Sequence, residues 1–378
     1  MILLLMACAT EEGGGPIPPG QRPPLGGDDT AVQHDSGDSE APLDSDDTGE
    51  EPVDDTGEPQ ADECPDGVTC VEHLPFAVRD TTVGGAEDFD SYACSPGTDE
   101  SGPELVYRVT LTESGFLAAD LRDMASGADI DVHILGSLDE DDCYDRGHWA
   151  AGALLPAGDY FIVADSWVNS SGAAQSGEFK LNIGHTSAAD LAAHGMDESL
   201  AELALYALDS AWLEGQSEHA VYGVLDFSQH SSFERLWITD LATEELLWHL
   251  HVTHGENTAG QADPGKAKYF SNVNESHKSS LGMMVTAEDY TGSNGYSMRM
   301  DGLEDGYNDN VRARAIVVHG ATYARAEIAD TYGYLGLSWG CPAVDDRVSD
   351  EVIGDLQGGL LWSYYPDGDW SEHSVYLP

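Results

Sequence analysis

Positive charge is scarce in this chain. Its 378 residues carry 15 Lys and Arg against 70 Asp and Glu, a formal net charge of −55. A nucleic-acid surface neutralises phosphates with many lysines and arginines, so that class of partner is excluded. Long apolar runs are lacking too: none approaches the roughly 20 residues that a spanning helix needs. Hydrophobic residues nevertheless reach 41%, enough to build cores, and the length suits about two domains of roughly 100–200 residues each.

The first residues, Met1-Ile2-Leu3-Leu4-Leu5-Met6-Ala7-Cys8, form a short apolar run ending in a small residue and a cysteine. This resembles the tail of a bacterial lipoprotein signal, with Leu5 to Cys8 as its lipobox. The basic stretch that opens such signals is missing and the apolar part is short, so the true start is expected upstream. The resemblance implies a lipid on Cys8 and an exported, membrane-anchored protein on the periplasmic side. Ala9, where an aspartate would signal inner-membrane retention, points to the outer membrane of a Gram-negative-type bacterium.

Five further cysteines follow. Cys64, Cys70, Cys94 and Cys143 form an even local group, which in an exported chain suggests two disulfides. Three pairings are open, and Cys64–Cys70 with Cys94–Cys143 is preferred. Cys341 is left over, and a lone thiol in an oxidising compartment is either buried and inert or functional.

Residues 9–62 are rich in Gly, Pro, Asp, Glu, Ser and Thr, and Asp46-Asp47-Thr48-Gly49-Glu50 recurs as Asp54-Asp55-Thr56-Gly57-Glu58. Such a stretch buries too little apolar surface to offset its ordering entropy, so it reads as a disordered acidic linker. Residues 63–186 read as a β-sandwich of short alternating strands, among them Leu105–Leu111, Ile130–Leu135, Tyr160–Ala164 and Glu178–Ile183. Glu104–Val109, Asp129–Ile134 and Leu155–Ile162 make this stretch similar to the bacterial pre-peptidase C-terminal domain. That resemblance implies a non-catalytic, jelly-roll-like accessory module, for which calcium is a candidate ligand. Asp129, Asp131 and the run Asp139-Glu140-Asp141-Asp142 would be the oxygen donors, although acidic residues flanking turns are the more ordinary reading. Residues 187–218 read as a helical connector with Gly215 as its stop. From 219 to 378 the pattern is again strand-rich. It includes a hairpin from Arg235 to Val252, a strand Ala313–His319 that delivers a histidine at its end, a helix from Ser349 to Leu356 with Ser349 as N-cap, and a last strand from Leu360 to Tyr365. The fold class expected is therefore mainly β, in two modules.

A catalytic cysteine needs a base and something to orient that base. Cys341 sits in Ser338-Trp339-Gly340-Cys341-Pro342-Ala343-Val344, where a glycine before the thiol allows a tight backbone with amide groups free to face an oxyanion. His319, at a strand end and followed by Gly320, is a rigidly placed base. Ordered blocks accompany them: Val224–Ser228, His254–Asn257, Phe270–Asn272, Ser276–Gly282, Asp301–Asn310 and Ala315–Ala321. In these blocks the chain is similar to the YkuD-like branch of the murein L,D-transpeptidase catalytic domain. The resemblance implies Cys341 as nucleophile, His319 as base, and Ser338 and Gly340 as motif positions beside them. Trp339 stands where the wider superfamily usually has histidine. His254, Gly320, Arg312, Arg314 and Trp339 are the candidate substrate contacts, Arg being suited to a stem carboxylate.

The implied activity is acyl transfer on peptidoglycan tetrapeptide stems, giving a 3-3 cross-link. Hydrolysis of the stem, attachment of proteins to the wall, or silent wall binding are the alternatives. No cofactor is required and a monomer is expected. His249 and His251 read as ordinary strand residues, since no third zinc ligand has suitable spacing.

Overall fold

A computed structural model describes residues 64–378 except 218 and 367. Cys8 and the linker 9–62 lie outside the described residues. The fold is mainly β, with 38% strand and 14% helix.

Nine strands build the first half: β1 (Val68–Cys70), β2 (Phe76–Thr81), β3 (Glu104–Leu111), β4 (Gly115–Arg122), β5 (Ile130–Leu135), β6 (Cys143–Gly147), β7 (Ala150–Leu155), β8 (Gly158–Ser166) and β9 (Glu178–Thr186). They form two sheets, ordered β1-β3-β8-β5-β6 and β2-β9-β4-β7. Tyr107, Val109, Val132, Ile134 and Ile162 of the first meet Leu117, Leu121, Phe179, Leu181 and Ile183 of the second. Period-2 alternation places one side chain in two inward, as sandwich packing requires. β4 breaks that alternation and is buried from Gly115 to Leu121. Its second face is covered too, because Phe116 and Ala118 belong to the core of the C-terminal half. Disulfides join Cys64 to Cys70 and Cys94 to Cys143, leaving Cys341 as the free thiol among the described residues.

The connector is two helices, α1 (Ala188–Ala193) and α2 (Glu198–Trp212), rather than one. The break follows from Gly195, at φ +89°, a conformation that glycine adopts without strain. Asp197 then caps α2 by accepting from the Ser199 and Leu200 amides. α2 ties both halves together. Trp212 Nε1 donates to Asp145 Oδ2 at 2.8 Å, and Tyr222 Oη donates to the Ala204 carbonyl at 3.1 Å. Neither helix is long and apolar enough to cross a membrane, nor is any other among the described residues.

The second half is one eight-stranded sheet built from β10 (Val221–Asp226), β11 (Leu236–Asp240), β12 (Glu245–Leu250), β13 (Gly282–Gly292), β14 (Gly295–Gly302), β15 (Val317–Ala321), β16 (Ala343–Asp345) and β17 (Leu360–Tyr364). Its order is β12-β11-β10-β17-β13-β14-β15-β16. Helices α3 (Ala326–Tyr332), α4 (Ser349–Leu356) and α5 (Gly368–Ser371) accompany it. Three local expectations need correction. The histidine strand begins at Val317, because 311–315 form turns in which Arg314 N–H bonds to Asn310 O and Ile316 N–H to Val311 O. His319 is thus mid-strand. The N-cap of α4 is Val348, without a side-chain cap, and not Ser349. The long hairpin β13–β14 is an element that alternation does not announce.

Candidate active site

β15 and β16 lie side by side in parallel, with His319 opposite Ala343. Cys341 precedes Ala343 by two residues, so thiol and imidazole arise from adjacent backbone segments. Both side chains are buried, at 7% exposure for Cys341 and 4% for His319. His319 Nδ1 lies 3.0 Å from the Gly320 carbonyl, which can only accept. Nδ1 therefore carries the proton, and Nε2 keeps its lone pair for base chemistry. Burial lowers the imidazole below its usual range, while the Gly320 carbonyl opposes that shift. Burial raises the Cys341 thiol, opposed by a hydrogen bond from Val317 and by the nearby Arg314 charge. Both groups thus rest neutral, with the thiol donating to Ala315 O at 3.7 Å. Ala315 presents that carbonyl from φ +53°, a left-handed conformation that is costly for alanine.

The turn before the nucleophile is tightly specified. Ser338 Oγ donates to the Cys341 carbonyl at 2.7 Å and accepts from the Gly340 amide at 3.1 Å. Thr253 Oγ1 also donates to that carbonyl, at 3.3 Å, and Ser279 Oγ donates to Gly340 O at 3.1 Å. Gly340 sits at φ +115°, and a Cβ there would lie 2.6 Å from Lys278 O. Ser338 and Gly340 thus shape the loop. The Gly340 amide, expected to be free for an oxyanion, is bonded to Ser338. Thr253 carries no motif signal beyond lying beside His254, whereas Ser279 lies within the block Ser276–Gly282.

The candidate substrate contacts separate into different roles. Trp339 is 69% exposed, with one face stacked on His277 at 4.5 Å. His254 is corrected to an interior residue: it is fully buried, Arg235 Nη2 donates to its Nδ1 at 2.9 Å, and its Nε2–H donates to Pro264 O at 3.1 Å. Burial, with the Arg235 charge, lowers its imidazole to about 3. Its own carbonyl accepts the Ser338 amide at 3.0 Å, so it supports the nucleophile loop from below. Gly320 packs against Asp346 and Ser349 of the α4 region and orients His319 through its carbonyl. Arg312 is held by Asp301 and by Glu288, whose Oε1 lies 2.7 Å away, so its donors face protein carboxylates. Arg314 has no carboxylate partner among the described residues. It donates to Ser271 O (2.7 Å), Ser280 Oγ (2.6 Å), Ser276 Oγ (3.1 Å) and Lys278 O (2.6 Å), and only its buried Nε is without a partner. Its fork is turned inward, which leaves no bidentate face for a stem carboxylate.

That inward cation acts on Cys341 through its charge. Replacing Arg314 with methionine removes it, and the thiol titrates at still higher pH. The iodoacetamide alkylation rate of Cys341, followed by intact mass, rises with pH in both proteins; the variant's curve is displaced to higher pH and its rate at neutral pH is lower, because less thiolate is present. Superimposed curves would remove Arg314 from this role.

In the sandwich, Asp129, Asp131 and His148 offer ligand atoms within 4.8 Å of one another. They fit calcium poorly. Asp131 is already ion-paired with Arg146 and bonded to His148 Nδ1 at 3.0 Å, and calcium takes six to eight oxygen ligands.

A thiol two residues before β16 and a free-Nε2 imidazole on neighbouring β15 are the kinds of group that cysteine acyl transfer uses. Residues 192–365 match the family model of the L,D-transpeptidase catalytic domain, a family that acts on peptidoglycan stem peptides. No curated protein matches the chain. Among solved structures, it is similar to the pre-peptidase C-terminal domain of a collagenase from Bacillus anthracis, at 13% identity over 32% of this chain and 96% of that one, TM-score 0.23. It is also similar to PliG of Aeromonas hydrophila, a periplasmic inhibitor of g-type lysozyme, at 12% identity over 32% of this chain and 96% of that one, TM-score 0.21.

Proposed function

We propose that this protein is a cell-wall L,D-transpeptidase that forms a Cys341 acyl-enzyme and passes the acyl group to an amine of a second stem, making a 3-3 cross-link. The observation that carries this reading is the His319 tautomer, fixed by Gly320 O beside the Cys341 loop. As substrate arrives, Nε2 takes the thiol proton and the sulfur attacks the amide carbonyl that follows the L-centre of diaminopimelate. The same imidazolium then protonates the departing D-alanine amine, leaving a thioester. The acceptor amine adds to the thioester carbonyl, its extra proton passes to His319, and the thiolate leaves to recover that proton. Water in the acceptor's place gives carboxypeptidase activity. A lipid at Cys8, with residues 9–62 as spacer, would hold the enzyme at the outer membrane within reach of the wall. The proposal takes it to work as a monomer without a cofactor.

The test has two stages. Intact mass after carbapenem exposure should show a stable adduct that Cys341→Ala abolishes. Tetrapeptide stems incubated with the full chain should then yield 3-3 dimers. An inert thiol and no adduct would indicate a silent wall-binding protein, whereas an adduct with only shortened stems would indicate a hydrolase.

A further inference from the structure

Only four lysines occur in the chain, and three of them, Lys266, Lys268 and Lys278, fall within thirteen residues. The fold draws that short stretch against the nucleophile loop. Lys268 and Tyr269 donate their amides to Thr258 O at 2.8 and 3.1 Å, and the Ser279 amide donates to Thr258 Oγ1 at 2.7 Å. Ser279 in turn holds Gly340 O, and His277 stacks flat on Trp339. The ammonium groups of Lys268 and Lys278 converge over one ring, 5.3 and 5.7 Å from the Tyr269 centroid. Neither pairs with a carboxylate among the described residues. Two neighbouring acids are engaged elsewhere, Glu256 with His277 at 2.7 Å, and Asp263 with His230 at 3.1 Å and Lys266 at 3.9 Å, and the exposed Glu275 forms no ion pair with either lysine. Tyr269 is 43% exposed, so the ring and its two cations form an open surface beside Trp339.

Two lysines held 5–6 Å from a single ring, without counterions, stand in a chain of net charge −55. The field of such a chain repels anionic ligands, so a carboxylate reaches Cys341 only where that field is locally reversed. We infer that the surface of Lys268, Tyr269, Lys278 and Trp339 binds a free carboxylate of the stem peptide. It thereby selects stems that carry the free α-carboxylate on their glutamate over stems in which it is amidated. The lysines supply the charge, Tyr269 holds them together by cation–π contact, and the open face of Trp339 covers the neighbouring peptide. Arg314, bonded to Lys278 O, fixes the backbone from which one of the lysines projects.

This inference rests on the stem-peptide reading above, and the experiment separates the two. Binding of tetrapeptide stems is measured by calorimetry on the full chain in a Cys341→Ala background, with the glutamate α-carboxylate either free or amidated. The double variant Lys268→Gln/Lys278→Gln should weaken binding of the free-carboxylate stem by about tenfold and leave the amidated stem unchanged. Raising salt from about 50 to about 500 mM should weaken the parent but not the double variant, since rim charges are screened. Both lysine side chains reach the surface, so the variants should fold as the parent does. Equal affinity of parent and variant for the free-carboxylate stem would overturn the inference and leave the proposed function standing. Absence of stem binding while a carbapenem still acylates Cys341 would also overturn it. Absence of both binding and adduct would remove the function together with the inference.

Discussion

Replacing His319 with asparagine lowers the rate of Cys341 acylation by about 10²–10⁴-fold, the usual contribution of a positioned general base. The reason lies in the electrostatics of the pair. Burial holds the thiol up and the imidazole down, which disfavours a preformed thiolate–imidazolium pair. The proton must leave sulfur as the bond forms, and Nε2 of His319 is the acceptor that the Gly320 carbonyl keeps available. Asparagine has similar bulk near the backbone but cannot take a proton at neutral pH. The measurement is adduct formation over time by intact mass, with a thermal melt showing that the variant stays folded. The loss should lessen as pH rises and solvent begins to deprotonate the thiol. A pH-independent loss, or one below threefold, would assign the proton transfer elsewhere.

Arg235→Met destabilises the protein by about 3–5 kcal/mol. The guanidinium is fully buried and donates to Val252 O (3.2 and 2.9 Å), Gln229 O (2.7 Å) and His254 Nδ1 (2.9 Å). Methionine fills much of the volume but leaves two buried acceptors, Val252 O and His254 Nδ1, and the half-buried Gln229 O without a donor, each buried one costing about 1–3 kcal/mol. Burial also lowers the arginine itself to about 9, so its charge is held at some cost and serves the hydrogen bonds more than any ion pair. Urea unfolding monitored by tryptophan fluorescence gives the change in midpoint at constant slope. The site should suffer as well, because His254 carries the Ser338 amide on its carbonyl. A loss under 1 kcal/mol would mean that water enters and replaces the lost donors.

The sandwich strands were legible because apolar and polar residues alternate along them, even in β5, where Asp131 and His133 are buried as well. β4 lacks the contrast because its outer face is covered by the second core. β13 and β14 escaped for the opposite reason: β13 runs from a buried start into an exposed ribbon from which β14 returns, with Glu288 and Asp289 where alternation would want apolar residues. At the site, residue type and order were enough for Cys341 and His319, because a nucleophile and its base are defined by chemistry. They were not enough for His254, Arg312 and Arg314, since the same side chain can face substrate or protein. Which it does depends on neighbours such as Arg235, Glu288 and Ser280, which are 19, 24 and 34 positions away. The lysine surface stayed invisible for a related reason, as its contiguity with Cys341 runs through Thr258, a residue with no chemistry of its own.

β17 pairs in parallel with β10 on one side and antiparallel with β13 on the other. The strands β10–β12 and β13–β16 are therefore linked within the sheet only through β17, the last of these strands in sequence. During synthesis, everything that composes the catalytic loop emerges before the strand that completes the sheet. Until Leu360–Tyr364 inserts, β10 and β13 each keep an unsatisfied edge, and the contacts that close this gap span a long stretch of sequence, the slow kind to form. The sheet that carries His319 is thus complete only once Leu360–Tyr364 has been made, after the segment that holds Cys341.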